Sequence, residues 1–311
     1  MDYTIITAGS VYLDIDAYAC CVAMAELLEL MGEKAVAFSR AACNYSVCDS
    51  LVEQGQILDV LPPDWDVQAA QYIIVDVSDP DYIKDSVPLD RVAAVYDHHV
   101  GFEDYWKRRI GDRAHIEFIG AAATLIFREW KQAGLLGRMS HSTALLLIAA
   151  ILDNTLNLTS SNTTAADWEA FGVLCEKACV GEEWCAAYFS EVQTNVEADL
   201  KNALFHDLKT LSSNGILPSS VGQICIWDGG NFLQNLPRIR QWFNSSLDSW
   251  MLNIIDIWHH CSYFVCDSAV YQRRIAEIFG IRFEDGVART PIPYLRKEII
   301  KKCFSVTNDG G

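Results

Sequence analysis

The stretch VAAVYDHH, residues 92–99, is an almost purely apolar run that ends in an aspartate and two histidines. Short apolar runs of this kind are typical of parallel strands that are buried on both faces. The first half of the chain combines three further runs, at residues 4–8, 34–38 and 72–75, with helix-like stretches at residues 17–31, 121–133 and 142–152. This pattern predicts an α/β protein with an N-terminal doubly wound, mainly parallel sheet.

Acidic residues stand just after these apolar runs. Asp14 and Asp16 follow the first run, Asp76 ends the third and Asp97 ends the fourth. Because the carboxyl ends of parallel strands form the ligand crevice of such a sheet, we expect these acids to converge there. Asp153 ends an apolar helix-like run and can reach the same crevice from the side.

This combination of carboxylates with the imidazole of His98 suits Mn²⁺, Mg²⁺, Co²⁺ or Fe²⁺. A carboxylate that bridges two ions creates a two-metal site, which can activate water and hold a phosphoryl group. Any one of the acids alone would be interpreted as a helix cap or a turn residue. Their occurrence at successive strand ends favours a metal centre.

Five short stretches resemble the DHH phosphoesterase superfamily: LDIDA (13–17), VD (75–76), DHH (97–99), GAAAT (120–124) and DNTLNL (153–158). Within it, the chain looks like the DHH-DHHA2 branch, which holds family II inorganic pyrophosphatases, exopolyphosphatases and prune-like proteins. The resemblance implies a DHH catalytic domain at residues 1–190 and a smaller α/β, DHHA2-like substrate-binding domain at residues 191–311. It also implies an active site in the interdomain cleft.

The resemblance also implies a centre of two ions, Mn²⁺ or else Mg²⁺ or Co²⁺. One ion would be held by Asp14 and Asp76, and the other by Asp16, Asp76, His98 and Asp153. The family usually has His or Asn four residues before the first of these aspartates, where this chain has Ser10. Neutral serine is a poor metal ligand, so we expect a weaker first metal site.

The same resemblance gives roles to residues around the ions. His99 would face the substrate phosphate as a catalytic and substrate-binding residue, and Asp97 would orient the two histidines. From the second domain, the cations of Lys209, Arg296 and Lys297 would bind substrate phosphates.

Composition limits the partners and the compartment. The formal net charge of −17 argues against binding to a nucleic-acid duplex or an anionic membrane. The N-terminus has no basic leader or long apolar run, which predicts a cytoplasmic protein. The eleven cysteines include no C-x-x-C pair, and several lie in apolar helical stretches, so we expect buried free thiols, among them Cys20, Cys21, Cys175 and Cys179. A homodimer is left open.

We therefore expect a metal-dependent phosphohydrolase that acts on a small anionic substrate, with pyrophosphate or short-chain polyphosphate as the leading choice. One alternative is a phosphomonoesterase that acts on a sugar phosphate, an inositol phosphate or a nucleotide. Another is a non-catalytic regulatory protein that binds metal or phosphate. A cyclic-dinucleotide phosphodiesterase is disfavoured, because Gly229 and Gly230 are followed by Asn231 and not by a Gly-Gly-Gly-His-type motif. His259 and His260, beside Asp256, lie among aromatic residues and are interpreted as part of a core segment.

Overall fold

The computed structural model describes residues 3–8, 12–52, 58, 60–63, 65–211 and 215–308. The chain divides into two compact units, Met1–Tyr188 and Phe189–Gly311. The division falls within one helix, Glu182–Ala198, which also contains the boundary expected from the sequence at residues 190 and 191.

Among the described residues, the first unit contains seven strands and most of seven α-helices. The strands are β1 (Thr4–Thr7), β2 (Tyr12–Leu13), β3 (Ala35–Ala37), β4 (Ala42–Cys43), β5 (Gln71–Val75), β6 (Val92–Asp97) and β7 (Ala114–Ile116). The helices are α1 (Ile15–Leu30), α2 (Pro80–Ile83), α3 (Glu103–Ile110), α4 (Ala122–Gln132), α5 (His141–Asn154), α6 (Ala165–Ala178) and α7 (Glu182–Ala198).

Five of these strands form one sheet in the order β3-β1-β5-β6-β7, and every neighbouring pair is parallel. The strand order reverses at β1, because β3 lies on one side of it and the later strands lie on the other. In doubly wound sheets the crevice for ligands opens at such a reversal, outside the carboxyl ends of the strands. The predicted α/β class and parallel sheet are confirmed.

Helix α1 sits at the centre of this unit. Twelve of its sixteen residues are buried, and it packs against α4, α5 and the edge strand β3. A helix that is apolar on all sides must be covered on all sides, which explains why α1 is enclosed by other elements. A separate group of buried side chains, including Ile74, Val95 and Trp106, forms a core against the sheet.

The second unit is the smaller α/β domain that the sequence predicted. Its elements are α8 (Leu200–His206), β8 (Lys209–Thr210), β9 (Ser220–Ile226), α9 (Gly229–Phe232), α10 (Leu236–Ser246), β10 (Trp250–Asp256), β11 (Cys261–Val265), α11 (Ala269–Phe279), β12 (Val287–Arg289) and α12 (Arg296–Asn308). The sheet order is β12-β11-β10-β9-β8, in which only the β9–β10 pair is parallel. Among the described helices of the whole chain, none combines the length and the apolar character that crossing a membrane requires.

All eleven cysteines are free thiols. Cys20 and Cys21 are buried in α1, as expected. The expectation is wrong for Cys179, which is exposed, and Cys175 is only partly buried. Cys179 is the C-cap of α6 and has left-handed backbone (φ 54°). The helix therefore ends before Cys179, although the apolar pattern predicts that this residue lies in a helix.

Gly120 gives a test of this packing. Its N–H donates to Asp167 Oδ2 at 3.0 Å, and a Cβ there would lie 2.5 Å from Thr155 Cγ2 and 2.7 Å from the Asp167 carboxyl group. Because both neighbours are buried, we expect Gly120→Ala to lower the free energy of unfolding by about 1–3 kcal/mol and to lower the thermal unfolding midpoint.

Gly172→Ala is the matched control, because Gly172 lies inside α6 with no atom within 4 Å of a Cβ. That variant should keep or slightly raise the midpoint, since alanine favours a helix over glycine. Equal midpoints for Gly120→Ala and the wild-type chain would contradict the packing described here.

Candidate metal centre

Asp76 lies at the end of β5, at the strand-order reversal. Its backbone is left-handed, with φ of 57°, a conformation that is uncommon outside glycine and that clusters at functional sites. The side chain is 6% exposed, and its Oδ1 lies 3.4 Å from Nε2 of His98. Oδ1 is buried and receives no hydrogen bond from the described residues, which leaves a carboxylate oxygen available to a cation.

The two histidines after β6 are oriented by different partners. His98 Nδ1 faces the carbonyl of Ile119 at 3.3 Å, and this contact requires the proton on Nδ1. The lone pair is then on Nε2, the atom nearest Asp76, as in a metal-binding imidazole. Asp97 Oδ1 accepts from both the N–H of His99 (3.0 Å) and its Nδ1 (2.9 Å). Asp97 thus fixes His99, while Ile119 fixes His98.

Asp14 and Asp16 stand at the start of α1. Asp14 is the N-cap, and its Oδ1 accepts from the N–H of Ala17 at 2.9 Å. Asp16 is fully buried, and its two oxygens accept from the N–H groups of Ala122 and Ala123, each at 2.8 Å. These N–H groups belong to the first turn of α4, where a helix favours an anion.

These backbone groups lie in the GAAAT stretch (120–124), whose pattern alone predicts no contact with a carboxylate. Small residues at the start of an apolar helix are the signal that could have indicated a close approach by a buried carboxylate. Ser10, the residue at the usual ligand position, lies outside the described residues.

The buried carboxyl groups repel one another. Burial and the charge of Asp14 raise the pKa of Asp16 to about 7 and that of Asp153 to about 7. Burial, followed by the charges of Asp16 and Asp14, also raises the pKa of Asp76 well above its ordinary value. Such groups resist ionisation near neutral pH unless a cation compensates them.

Asp97 behaves differently because His99 is its partner. Burial acts to raise the pKa of Asp97, but the hydrogen bond and charge of His99 outweigh it, so the pKa lies below the usual value. The hydrogen bond to Asp97 raises the pKa of His99. The side chain of His99 is 66% exposed, so its imidazole faces solvent.

These residues fit a divalent cation. Asp76, His98 and His99 each offer one ligand atom, and the three atoms lie within 4.8 Å of one another. The carboxyl groups of Asp14 and Asp76 are within hydrogen-bonding reach, an arrangement that requires either a shared proton or a cation between them. Oxygen ligands with imidazole suit Mn²⁺, Mg²⁺ or Co²⁺. The family resemblance implies a substrate-binding role for His99, yet His99 also belongs to this group of ligand atoms.

The residues expected to bind substrate in the second unit differ in exposure. Lys209 and Lys297 are exposed. Arg296 is 9% exposed, and its guanidinium bonds to both carboxylate oxygens of Asp207, at 2.6 and 3.0 Å, and to the carbonyl of Val221 at 3.3 Å. Arg296 therefore holds α12 to the start of the second sheet.

A second group in the same unit, Asp228, Asp256 and His259, also brings three ligand atoms within 4.8 Å of one another. Asp256 is fully buried at the end of β10. Its oxygens accept from the N–H of His259 (2.9 Å) and from His259 Nδ1 (2.9 Å). These bonds account for the buried carboxylate without an ion. Trp258, His259 and His260 are all exposed and form a turn. The expectation that the two histidines belong to a core segment is therefore wrong.

The raised pKa values give a test that needs no substrate. Between pH 4 and 7 the folded chain holds protons on Asp16 and Asp153 that the unfolded chain, with pKa near 3.8, has lost. The free energy of unfolding of the metal-free chain should therefore fall as pH rises through this interval. We expect a thermal midpoint several degrees lower at pH 8 than at pH 5 when a chelator is present. Added Mn²⁺ should raise the thermal unfolding midpoint more at pH 8 than at pH 5.

Asp153→Asn is the control for this measurement, because an amide cannot ionise. This variant should weaken the dependence on pH, leaving the part that the raised pKa of Asp16 causes. A metal-free midpoint that rises from pH 5 to pH 8 in the wild-type chain would contradict the pKa values given above.

No protein-family model matches the chain, and no curated protein matches it. Among solved structures, the chain is similar to a Methanococcus jannaschii protein assigned to the family II inorganic pyrophosphatases, with 18% identity, coverage of 99% of this chain and 100% of that chain, and a TM-score of 0.63. It is also similar to an exopolyphosphatase-related protein from Bacteroides fragilis, with 14% identity, coverage of 99% and 92%, and a TM-score of 0.52. Identity this low shows the fold alone. In fold, the chain is therefore similar to proteins of the pyrophosphatase and exopolyphosphatase branch, as its sequence resemblance to the DHH superfamily predicts.

Proposed function

We propose that this protein is a divalent-metal-dependent phosphohydrolase that acts on a small anionic substrate, with pyrophosphate or a short polyphosphate as the leading choice. One observation carries the proposal: the buried Oδ1 of Asp76, which has no hydrogen-bond donor among the described residues, lies 3.4 Å from Nε2 of His98. Burial raises the pKa of Asp16, Asp76 and Asp153, so these carboxyl groups ionise readily at neutral pH only when a cation compensates their charge. The fold similarity to a pyrophosphatase and an exopolyphosphatase-related protein supports the choice of substrate class.

The proposed ligands are those that the family resemblance implies. Asp14 and Asp76 would hold one ion, while Asp16, Asp76, His98 and Asp153 would hold a second. When bound, Mn²⁺, Mg²⁺ or Co²⁺ would lower the pKa of water and neutralise phosphoryl oxygens. Asp16 contributes with its carboxylate already fixed by the N–H groups of Ala122 and Ala123.

His99 is the proposed proton donor. Its Nδ1 is bound to Asp97, so Nε2 is the atom that would donate to a phosphate oxygen. The Asp97 carboxylate raises the pKa of the imidazole and restricts its rotation, because it binds both the ring and the backbone N–H of the same residue. We therefore assign His99 to substrate binding and proton donation, and Asp97 to holding His99 in place.

Lys209, Arg296 and Lys297 are the proposed phosphate ligands of the second unit. The two lysines are exposed and carry no competing ion pair among the described residues. Arg296 would have to exchange the carboxylate of Asp207 for a phosphate, so we give it the smaller share of substrate affinity. The eleven free thiols favour a reducing compartment, and we propose the cytoplasm.

The first experiment is phosphate release from pyrophosphate, tripolyphosphate, long polyphosphate, nucleotides and sugar or inositol phosphates, with Mn²⁺, Mg²⁺ and Co²⁺ compared. We expect release from pyrophosphate or tripolyphosphate, loss of release with a chelator, and a fall in kcat of roughly 100-fold or more in Asp76→Asn. Asp112→Asn, an exposed acid of the same unit, should retain full activity.

Each remaining outcome has a definite meaning. Release from a sugar phosphate, inositol phosphate or nucleotide alone would replace the substrate with a phosphomonoester or nucleotide. If the chain binds metal but releases phosphate from none of these substrates, we would conclude that it is a non-catalytic regulatory protein that binds metal or phosphate.

Lys297→Ala should separate binding from turnover. Loss of a charged hydrogen bond to phosphate is expected to raise KM about 10- to 100-fold, with a smaller effect on kcat than Asp76→Asn has. Lys301→Ala is the matched control, since Lys301 is an exposed lysine one turn further along α12. Equal KM values for the Lys297→Ala variant and the wild-type chain would remove Lys297 from the substrate site.

A further inference from the structure

Tyr188, on α7, contacts the proposed metal ligand Asp153 without being a proposed ligand itself. Its side chain is almost fully buried, at 3% exposure. Its hydroxyl lies 3.2 Å from Asp153 Oδ1 and also 3.2 Å from the carbonyl of Ser46. A hydroxyl has one proton, and an ionised carboxylate is a stronger acceptor than a carbonyl. The bond to Asp153 is therefore the favoured one whenever Asp153 is charged.

The second acceptor is the carbonyl of Ser46, a residue that also contacts the segment of Asp14 and Asp16. Ser46 Oγ accepts from the N–H of Ile15 at 2.9 Å, and Ile15 is the residue between Asp14 and Asp16. Asn44 Oδ1 in turn accepts from Ser46 Oγ at 2.6 Å. Tyr188 thus stands between the end of α5, which carries Asp153, and the segment that carries Asp14 and Asp16.

Asp153 depends on this contact. Among the described residues, Tyr188 supplies the one side-chain hydrogen bond to its carboxyl group, and this bond opposes the effect of burial on that group. Without the hydroxyl, Oδ1 of a buried carboxylate would lose its donor, and the side chain would no longer be held in one orientation.

We propose that Tyr188 is a positioning residue for the metal centre: its hydroxyl orients the Asp153 carboxylate and thereby sets the affinity of the ion that Asp153 holds. This inference rests on the proposed function, because it takes Asp153 as a metal ligand. Hydrogen-bond partners of metal ligands commonly change metal affinity about 10- to 100-fold when they are removed.

Tyr188→Phe removes the hydroxyl and keeps the ring, which stacks on Trp184 with centroids 6.1 Å apart. We expect calorimetric titration with Mn²⁺, in the absence of substrate, to show one class of site weakened by about 10- to 100-fold. Tyr72→Phe is the matched control. Tyr72 is also buried and donates to a backbone carbonyl, that of Val67, at 2.8 Å, but near the opposite end of β5. Its loss should leave Mn²⁺ affinity unchanged.

A double-mutant cycle separates positioning from general destabilisation. In the Asp153→Asn background, Tyr188→Phe should cause no further loss of Mn²⁺ affinity, because the carboxylate it orients is gone. Wild-type affinity in Tyr188→Phe, or an equal loss in both backgrounds, would overturn the proposal. Mn²⁺ binding by a wild-type chain that hydrolyses nothing would overturn the proposed function alone, whereas a wild-type chain that binds no Mn²⁺ would overturn both.

Discussion

The bond between the Asp16 carboxylate and the first turn of α4 is the contact on which the first unit depends. It joins the starts of two helices that are more than a hundred residues apart in the chain. Both oxygens are bound to N–H groups that the helix itself cannot satisfy, so each oxygen of this fully buried carboxyl group has a donor. Around this point, Gly120 and Thr124 bind Asp167 of α6, which brings a third helix to the same place. The segment that follows β7 is thereby fixed against α1, and the proposed metal ligands of α1 are fixed with it.

The carboxyl groups of the centre are stabilised in two different ways. Asp97 has an imidazole partner, and its charge is compensated within the protein. Asp16 has backbone donors, whereas Asp76 has an oxygen with no donor among the described residues. This difference agrees with the proposed roles, in which Asp97 holds a neighbouring side chain and Asp76 binds a cation. His99, which is paired with Asp97, therefore lies close to Asp76, with 3.9 Å between His99 Nδ1 and Asp76 Oδ1.

The sequence predicted the features that depend on local pattern. Apolar runs predicted the buried strands, and the aspartates that follow them, Asp76 and Asp97, lie at the strand ends because a parallel sheet aligns its carboxyl ends. The partners of these side chains could not be predicted, because periodicity carries no information about which distant residue faces which. Thus the Ile119 carbonyl behind His98, and the hydroxyl of Tyr188 beside Asp153, became visible only in the structure. Arg296 is a similar case: its sequence context indicated a phosphate ligand, but only tertiary structure reveals its bond to Asp207.

The left-handed backbone of Asp76 restricts how this protein can change over evolutionary time. Asp, Asn and Gly tolerate that conformation, whereas β-branched residues do not. A descendant that abandons its chemistry can therefore exchange Asp76 for Asn or Gly at little cost to folding, while a change to Val or Ile would disturb the end of a central strand. Related proteins that have lost the proposed activity but kept the fold should therefore carry Asn or Gly at this position. Such a residue would indicate an inactive protein in a sequence that otherwise retains the motifs.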